Sequence, residues 1–204
     1  MNLDGVFWLG GSPCSGKSSV ARQLGSAGFT LYAVDEREDE HLARARPETE
    51  PEMSAWRIRD ADANWLRPVA EQLEAEMAFY RERFTMILAD IAALPRPLLV
   101  EGAALLPDLL HGLGVSPGHA FFMVPTWTFQ MEHYSRRPWV EGVLQGCSAP
   151  ERAFANWMRR DQRFGNAVAR RAVELGWPVM RVDGGVGLPL TVLGVRDCFA
   201  LGKA

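Results

Sequence analysis

Residues 7–25 read FWLGGSPCSGKSSVARQLG, and they hold Lys17, one of only two lysines in a 204-residue chain that otherwise takes its positive charge from arginine. The stretch divides into three parts. A short apolar run ends at Gly10 and Gly11, and after a loop Val20, Ala21 and Leu24 recur at helical spacing before a glycine stop. Between the two, Gly11-Ser12-Pro13-Cys14-Ser15-Gly16-Lys17-Ser18 satisfies G-x-x-x-x-G-K-[ST] at every fixed position. The spacing has a physical meaning. Gly11 and Gly16 permit backbone angles and a close approach that side chains would block, so successive N–H groups turn toward one anion. The helix that begins near Lys17 adds the positive end of its dipole, and a long stem carries a compact ammonium between adjacent phosphates. The planar fork of an arginine is no substitute there.

These residues predict a site for a nucleoside triphosphate, read as ATP, held by Gly11, Ser12, Pro13, Cys14, Ser15, Gly16, Lys17, Ser18 and Ser19. Ser18 supplies the hydroxyl expected on Mg²⁺, Ser19 begins the helix, and Cys14 contributes backbone rather than thiol chemistry.

The rest of the composition narrows the field. Hydrophobic residues make up 48% and charged residues 23%, which fits one folded, soluble α/β domain with a full core. Net charge is −3 with no polybasic run, which argues against duplex nucleic acid or an anionic membrane as the main partner. No apolar window reaches the roughly 18 residues of a membrane span, and no secretory leader is legible, so the expected location is the cytoplasm. Cys14, Cys147 and Cys198 are odd in number and widely spaced, and His41, His111, His119 and His133 lack metal-ligand spacing.

Further short apolar runs alternate with helical segments. FTLYAV ends at Asp35, PLLVEG contains Glu101, HAFFMV ends near Thr126, and WPVMRVDG contains Asp183. This alternation predicts a parallel sheet with a nucleotide site at the carboxyl ends of its strands. The connection from Asp35 to about Pro95 is too long for a loop. Within it Leu66, Val69, Leu73, Met77, Tyr80, Phe84, Leu88 and Ile91 form a helical stripe for core packing, with Pro68 in the first turn.

With these motifs in place the chain resembles the P-loop small-molecule kinases, relatives of the nucleoside monophosphate kinases. The resemblance rests on GGSPCSGKSS, on a second strand ending at Asp35, on LLVEG as third strand and on an arginine-rich segment after the fourth. Pro13 is similar to the adenylate-kinase loop, whereas an aspartate after strand two is similar to shikimate, gluconate and chloramphenicol phosphotransferases. The resemblance implies a three-layer sandwich with a five-stranded parallel sheet in the order 2-3-1-4-5, one domain over residues 1–204, a helical acceptor-binding insert at about 36–95 and a lid at about 136–150. Two departures matter. Glu101 stands where many P-loop proteins have aspartate, and the lid lacks the paired aspartates of adenylate kinases, which sets the chain apart from them.

Three carboxylates compete for roles. Asp35 is placed to accept a proton from an acceptor hydroxyl, against helix capping in DEREDEH. Glu101 is placed to hold Mg²⁺ or share the acceptor-side role, and Asp183 reads as a turn residue. Among the arginines, Arg136, Arg137, Arg160 and Arg163 are candidates for a phosphate contact, with Arg137 carried as the catalytic one; Arg152, Arg159, Arg160 and Arg163 are expected opposite Phe154, Trp157, Met158 and Phe164. Arg57 and Arg59, beside Trp56, are better read as surface charge than as acceptor contacts. The function expected is transfer of the ATP γ-phosphoryl group to a small hydroxylated or phosphorylated acceptor. The alternative is a P-loop hydrolase or switch with no such acceptor.

Overall fold

A computed structural model describes residues 2–199. Its centre is β1 (Val6–Gly11), whose six residues are all buried, as befits the middle of a parallel sheet covered on both faces. Successive side chains point to opposite sides. Val6 and Trp8 enter one apolar cluster, while Phe7 and Leu9 enter the other.

The strands β2 (Thr30–Ala33), β3 (Leu98–Glu101), β4 (Ala120–Pro125) and β5 (Val179–Val182) complete a sheet in the order β2-β3-β1-β4-β5, with every pairing parallel. The implied order is the observed one. Helix α1 (Lys17–Ser26) covers one face with Val20, Ala21 and Leu24, joined there by α10 (Leu188–Cys198) through Val195. The other face lies beneath α5 (Val69–Ile91) and α9 (Pro150–Glu174), which meet the sheet through Phe84, Ile87, Ile91, Phe164, Val168 and Ala172.

The connection between β2 and β3 is helical, as its length required: α2 (Glu38–Arg44), α3 (Pro51–Ile58), α4 (Ala61–Trp65) and α5 follow one another. The stripe in α5 is displaced from the apolar reading. Its buried positions are Gln72, Phe79, Tyr80, Arg83, Phe84, Ile87 and Ile91, while Leu73, Met77 and Leu88 sit on the flanks and Leu66 caps α4. Pro68 is the N-cap residue of α5 rather than part of its first turn. An apolar periodicity cannot select Gln72 or Arg83, because their burial is made possible by hydrogen bonds, from Gln72 to the Trp65 and Arg67 carbonyls just before the helix and from Arg83 to Val34, Glu38 and His41 in a distant part of the chain.

Beyond β3 come α6 (Pro107–Gly112) and, after β4, α7 (Trp127–Tyr134) and the short α8 (Val140–Val143). The segment 136–150 is more anchored than its proline and glycine content suggests. Val140 and Leu144 are buried in a third cluster with Trp65, Tyr134 and Trp157, over the carboxyl ends of the strands. No helix of the described residues is long and apolar enough to cross a membrane.

Candidate active site

The loop from Gly11 to Ser18 joins β1 to α1 at the carboxyl edge of the sheet. Gly11 has φ +126°, and a Cβ there would sit 1.9 Å from the Met123 carbonyl oxygen of β4, so only glycine lets the strand turn while pressed against its neighbour. The Ser12 N–H then donates to that same carbonyl at 3.1 Å. Cys14 and Gly16 both adopt left-handed angles, with φ of +63° and +82°, and Gly16 is the N-cap of α1. This alternation is the backbone pattern of an anion-binding nest.

Within the loop, Ser15 Oγ donates to the Ser12 carbonyl at 2.9 Å and Lys17 Nζ donates to the same oxygen at 2.8 Å. Lys17 is 4% exposed. Its ammonium is folded back across the loop and held by one carbonyl oxygen, ready to exchange that contact for a charged one. Burial pushes the Cys14 thiol up, which disfavours the thiolate.

Glu101 ends β3, in register with Leu9 on one side and Ala33 on the other. Ser18 Oγ donates to Glu101 Oε1 at 3.4 Å. Two hard oxygen donors at that separation approach the edge of a Mg²⁺ octahedron, about 3 Å for bonds of 2.0–2.1 Å, so these residues fit the metal. Burial, with Asp35 and Glu36 adding repulsion, pushes the Glu101 carboxyl up to about 7, although Lys17 and the Ser18 hydroxyl pull it down. A cation would relieve that strain.

Asp35 follows the end of β2 and heads a 3₁₀ turn. Its Oδ1 accepts from the Ala103 N–H at 3.2 Å. The contact depends on Gly102, where a Cβ would lie 2.6 Å from Val34 Cβ. Thus Asp35 is tied to the strand that carries Glu101 and does not merely cap α2.

Behind this row, Arg83 is fully buried and donates to Val34 O, to Glu38 Oε2 at 3.0 Å and to His41 Nδ1 at 2.8 Å. Because His41 Nδ1 accepts, its Nε2 carries the proton and meets Asp90 Oδ2 at 2.8 Å. Burial and Arg83 together hold His41 in its neutral form. None of this network was legible in the sequence.

A cavity of about 330 Å³ adjoins the loop, with Pro13, Asp35 and Ala103 among its lining residues. One face of α5 lines it at helical spacing: Gln72, Ala75, Glu76, Phe79 and Tyr80. Trp56, Trp65, Trp139 and Trp157 are in the remaining wall.

The arginines separate sharply. Arg137 reaches the loop, with Nη2 3.6 Å from Cys14 Sγ and its guanidinium 5.0 Å from the centre of the Tyr134 ring and 5.4 Å from that of Trp139. Arg136 is exposed and pairs with Glu132, and Arg163 is exposed as well. Arg160 departs from expectation: it lies on the buried face of α9 with Trp157 and Phe164. Its Nε and Nη2 donate to Asp161 Oδ1 at 2.9 and 2.6 Å, and its guanidinium stacks 5.2 Å from the Trp65 ring centre. The helical phase was misread for this residue, since steps of three from Trp157 and four to Phe164 put Arg160 on their face; what a sequence cannot show is that Asp161, one residue on, is buried to receive it. Arg59 pairs with Glu52, Arg57 is exposed, and Asp183 closes an Asx turn by accepting from the Gly185 N–H at 2.8 Å.

Sequence reasoning missed Glu76, Gln72, Asn64 and Arg67. The one available signal was the number of tryptophans, seven in all, of which four converge on this cavity. Glu76 Oε1 accepts from the Tyr80 hydroxyl at 3.0 Å. Its Oε2 lies 3.1 Å from Arg160 Nε, but that N–H is aimed at Asp161, so the contact is Coulombic without a hydrogen bond. Asn64 Oδ1, Gln72 Oε1 and Arg67 Nε are likewise buried without hydrogen-bond partners. Each such orphan costs about 1–3 kcal/mol in a folded interior, and four in one cavity wall mark a site built for an occupant.

The loop, the sheet order and the position of Glu101 define a P-loop kinase-like fold. No protein-family model and no curated protein matches the sequence. Among solved structures, the chain is similar to a shikimate kinase from Acinetobacter baumannii in complex with shikimate, at 13% identity and a TM-score of 0.51, covering 98% of this chain and 95% of that one. It is also similar to TT1252 from Thermus thermophilus, at 18% identity and a TM-score of 0.45, with 98% of each chain covered.

Proposed function

We propose that this protein is an ATP- and Mg²⁺-dependent phosphotransferase that passes the γ-phosphoryl group to a hydroxyl of a small acceptor held in the cavity. The observation that carries this reading is the convergence of two separate sites. A phosphate-binding loop with Lys17, Ser18 and Glu101 lies at one edge, and a cavity with Asp35 among its lining residues adjoins it.

The residues divide the task. The N–H groups of the loop and the α1 N-terminus hold phosphate oxygens, and Lys17 leaves the Ser12 carbonyl to meet them. Ser18 and Glu101 would hold Mg²⁺, which would supply positive charge to the phosphate oxygens. Asp35 orients the acceptor hydroxyl and takes its proton. Arg137, already placed against the loop by Tyr134 and Trp139, supplies a guanidinium for charge that spreads during transfer. The helical insert at about 36–95, through cavity-lining residues from Glu38 to Tyr80, and the lid at about 136–150 would enclose the acceptor, while Phe84, Ile87 and Ile91 of α5 belong to the core.

The test is a panel of hydroxylated acceptors, shikimate among them, incubated with ATP and Mg²⁺ and read by mass gain of one phosphoryl group. No gain on any acceptor, with ATP hydrolysis alone, would point to a hydrolase. Asp35→Asn is expected to lower turnover by about 10²-fold or more while ATP affinity in calorimetry stays near wild type. Near-normal turnover with a lowered Tm would leave Asp35 a purely structural residue.

The lid has its own measurement. Amide hydrogen exchange over residues 136–150 is expected to slow when a non-hydrolysable ATP analogue binds, because closure brings Arg137 and its neighbours onto the phosphates. Equal exchange with and without nucleotide would make the segment a fixed wall.

A further inference from the structure

The identity of the acceptor is the open side of the proposed reaction, and the cavity walls speak to it. Their apolar part is aromatic and already assembled: Trp65 and Trp157 have ring centres 4.9 Å apart, Trp139 and Trp157 5.8 Å, and Trp56 and Trp65 5.8 Å. Rigid indole walls offer large contact area to another ring and little to a flexible polyol. The volume, about 330 Å³, falls within the roughly 300–1,000 Å³ of pockets that take drug-sized ligands.

The charges point the same way. Four carboxylates line the cavity, Asp35, Glu38, Glu52 and Glu76, against two guanidiniums, Arg67 and Arg160. Arg160 is committed to Asp161, with Glu76 Oε2 3.1 Å from its Nε, while Glu38 pairs with Arg83 and Glu52 with Arg59, so among the described residues Arg67 is the guanidinium of this wall without an ion pair. Capture of a phosphomonoester or a hydroxy acid calls for several convergent guanidinium forks or ammonium groups, and this wall offers the one free guanidinium of Arg67 together with the carboxylate of Asp35, which no arginine pairs among the described residues.

The hydrogen-bonding groups complete the pattern. The Gln72 amide is fixed in orientation because Nε2 donates to the Trp65 and Arg67 carbonyls at 3.0 and 2.9 Å, which turns Oε1 away from both. That oxygen, Asn64 Oδ1 and Glu76 Oε2 are three unpartnered acceptors, against one unpartnered donor at Arg67 Nε. The Glu76 side chain is only 8% exposed. A complementary occupant brings N–H or O–H donors.

We infer that the acceptor is a non-anionic alcohol with an aromatic or fused-ring body and at least one amine or similar donor, seated against the wall of tryptophans with its donor toward Gln72 and Glu76. This rests on the phosphotransferase reading and names the substrate class for the same cavity.

The experiment uses the full chain saturated with a non-hydrolysable ATP analogue and Mg²⁺. Phenylalaninol, tryptophanol and indole-3-ethanol are titrated calorimetrically beside shikimate, gluconate and AMP, and each is then incubated with ATP and read by mass. The ring-bearing alcohols are expected to bind at least tenfold more tightly than the three anions, with the two amino alcohols ahead of indole-3-ethanol. Trp139→Ala, at a side chain in a residue 46% exposed and so safe for folding, should weaken them about tenfold. Glu76→Gln should erase the advantage of the amine. Tighter binding of any anion, no binding of the ring probes, or ring binding indifferent to both variants in proteins of unchanged Tm would overturn the acceptor class. Ring binding that meets these expectations without phosphoryl transfer would support the acceptor class and defeat the phosphotransferase reading instead.

Discussion

Replacing Lys17 with alanine is expected to abolish phosphoryl transfer, lowering it by about 10³-fold or more, and to weaken triphosphate binding steeply while the protein stays folded. The ammonium makes one polar contact within the loop, to the Ser12 carbonyl, and Ser15 Oγ donates to the same oxygen, so the loop keeps a clasp without the lysine. What is lost is a cation at the mouth of a nest whose other donors are partial charges. Calorimetric titration with ATP and a melting curve check both halves. Wild-type affinity in the variant would remove the phosphate-binding assignment. Lys17→Arg is expected to fail as well, since Lys17 is nearly buried and a planar guanidinium does not fit the path of its stem.

Glu101→Gln should move activity and stability in opposite directions. Glu101 is 2% exposed, and its carboxyl is raised from 4.5 to about 7. Between those values the folded protein binds a proton that the unfolded chain has released, so stability present at pH 4 is lost as the pH rises through 7. Ionising this buried group therefore costs about 3 kcal/mol at pH 8. Glutamine removes the cost. The variant should melt higher than wild type at pH 8 and almost equally at pH 4, while Mg²⁺-dependent transfer falls by about 10²-fold or more. Wild-type Mg²⁺ affinity should also decline below pH 7, where the proton competes with the metal. Equal melting of the two proteins at pH 8 would show that Glu101 carries no such strain.

The two predictions rest on residues that were legible for different reasons. Lys17 stands in a motif whose spacing is itself the geometry, because eight consecutive residues build the loop. Glu101 was visible only as the polar end of an apolar run. Its hydrogen bond to Ser18, 83 positions away, and its raised carboxyl arise from β3 lying beside β1, which brings the two chain segments into register.

The acceptor cavity was less legible still. Asp35 could be singled out as the first carboxylate after a strand, but Gln72, Glu76 and Arg160 lie within helices whose apolar periodicity gives no place to polar side chains. Arg160 was read with Arg152, Arg159 and Arg163 as opposite Phe154, Trp157, Met158 and Phe164, although its spacing from Trp157 and Phe164 puts it on their face. The packing of α5 against α9 buries it with Asp161 and sets its guanidinium beside Trp65.

By itself, then, the sequence determined what short-range geometry controls: the phosphate loop, the run of strands and helices, and the carboxylates that end strands. Those follow from backbone freedom at Gly11 and Gly16 and from periodicities of two and 3.6 residues. Only the tertiary structure decided which polar side chains become buried, which arginines are neutralised, and how four tryptophans from α3, α4, α9 and the segment before α8 enclose one cavity. The reason is physical. Burying a charge or an amide is tolerated only where a partner arrives from elsewhere in the chain, and that arrival is a property of the fold rather than of any local stretch.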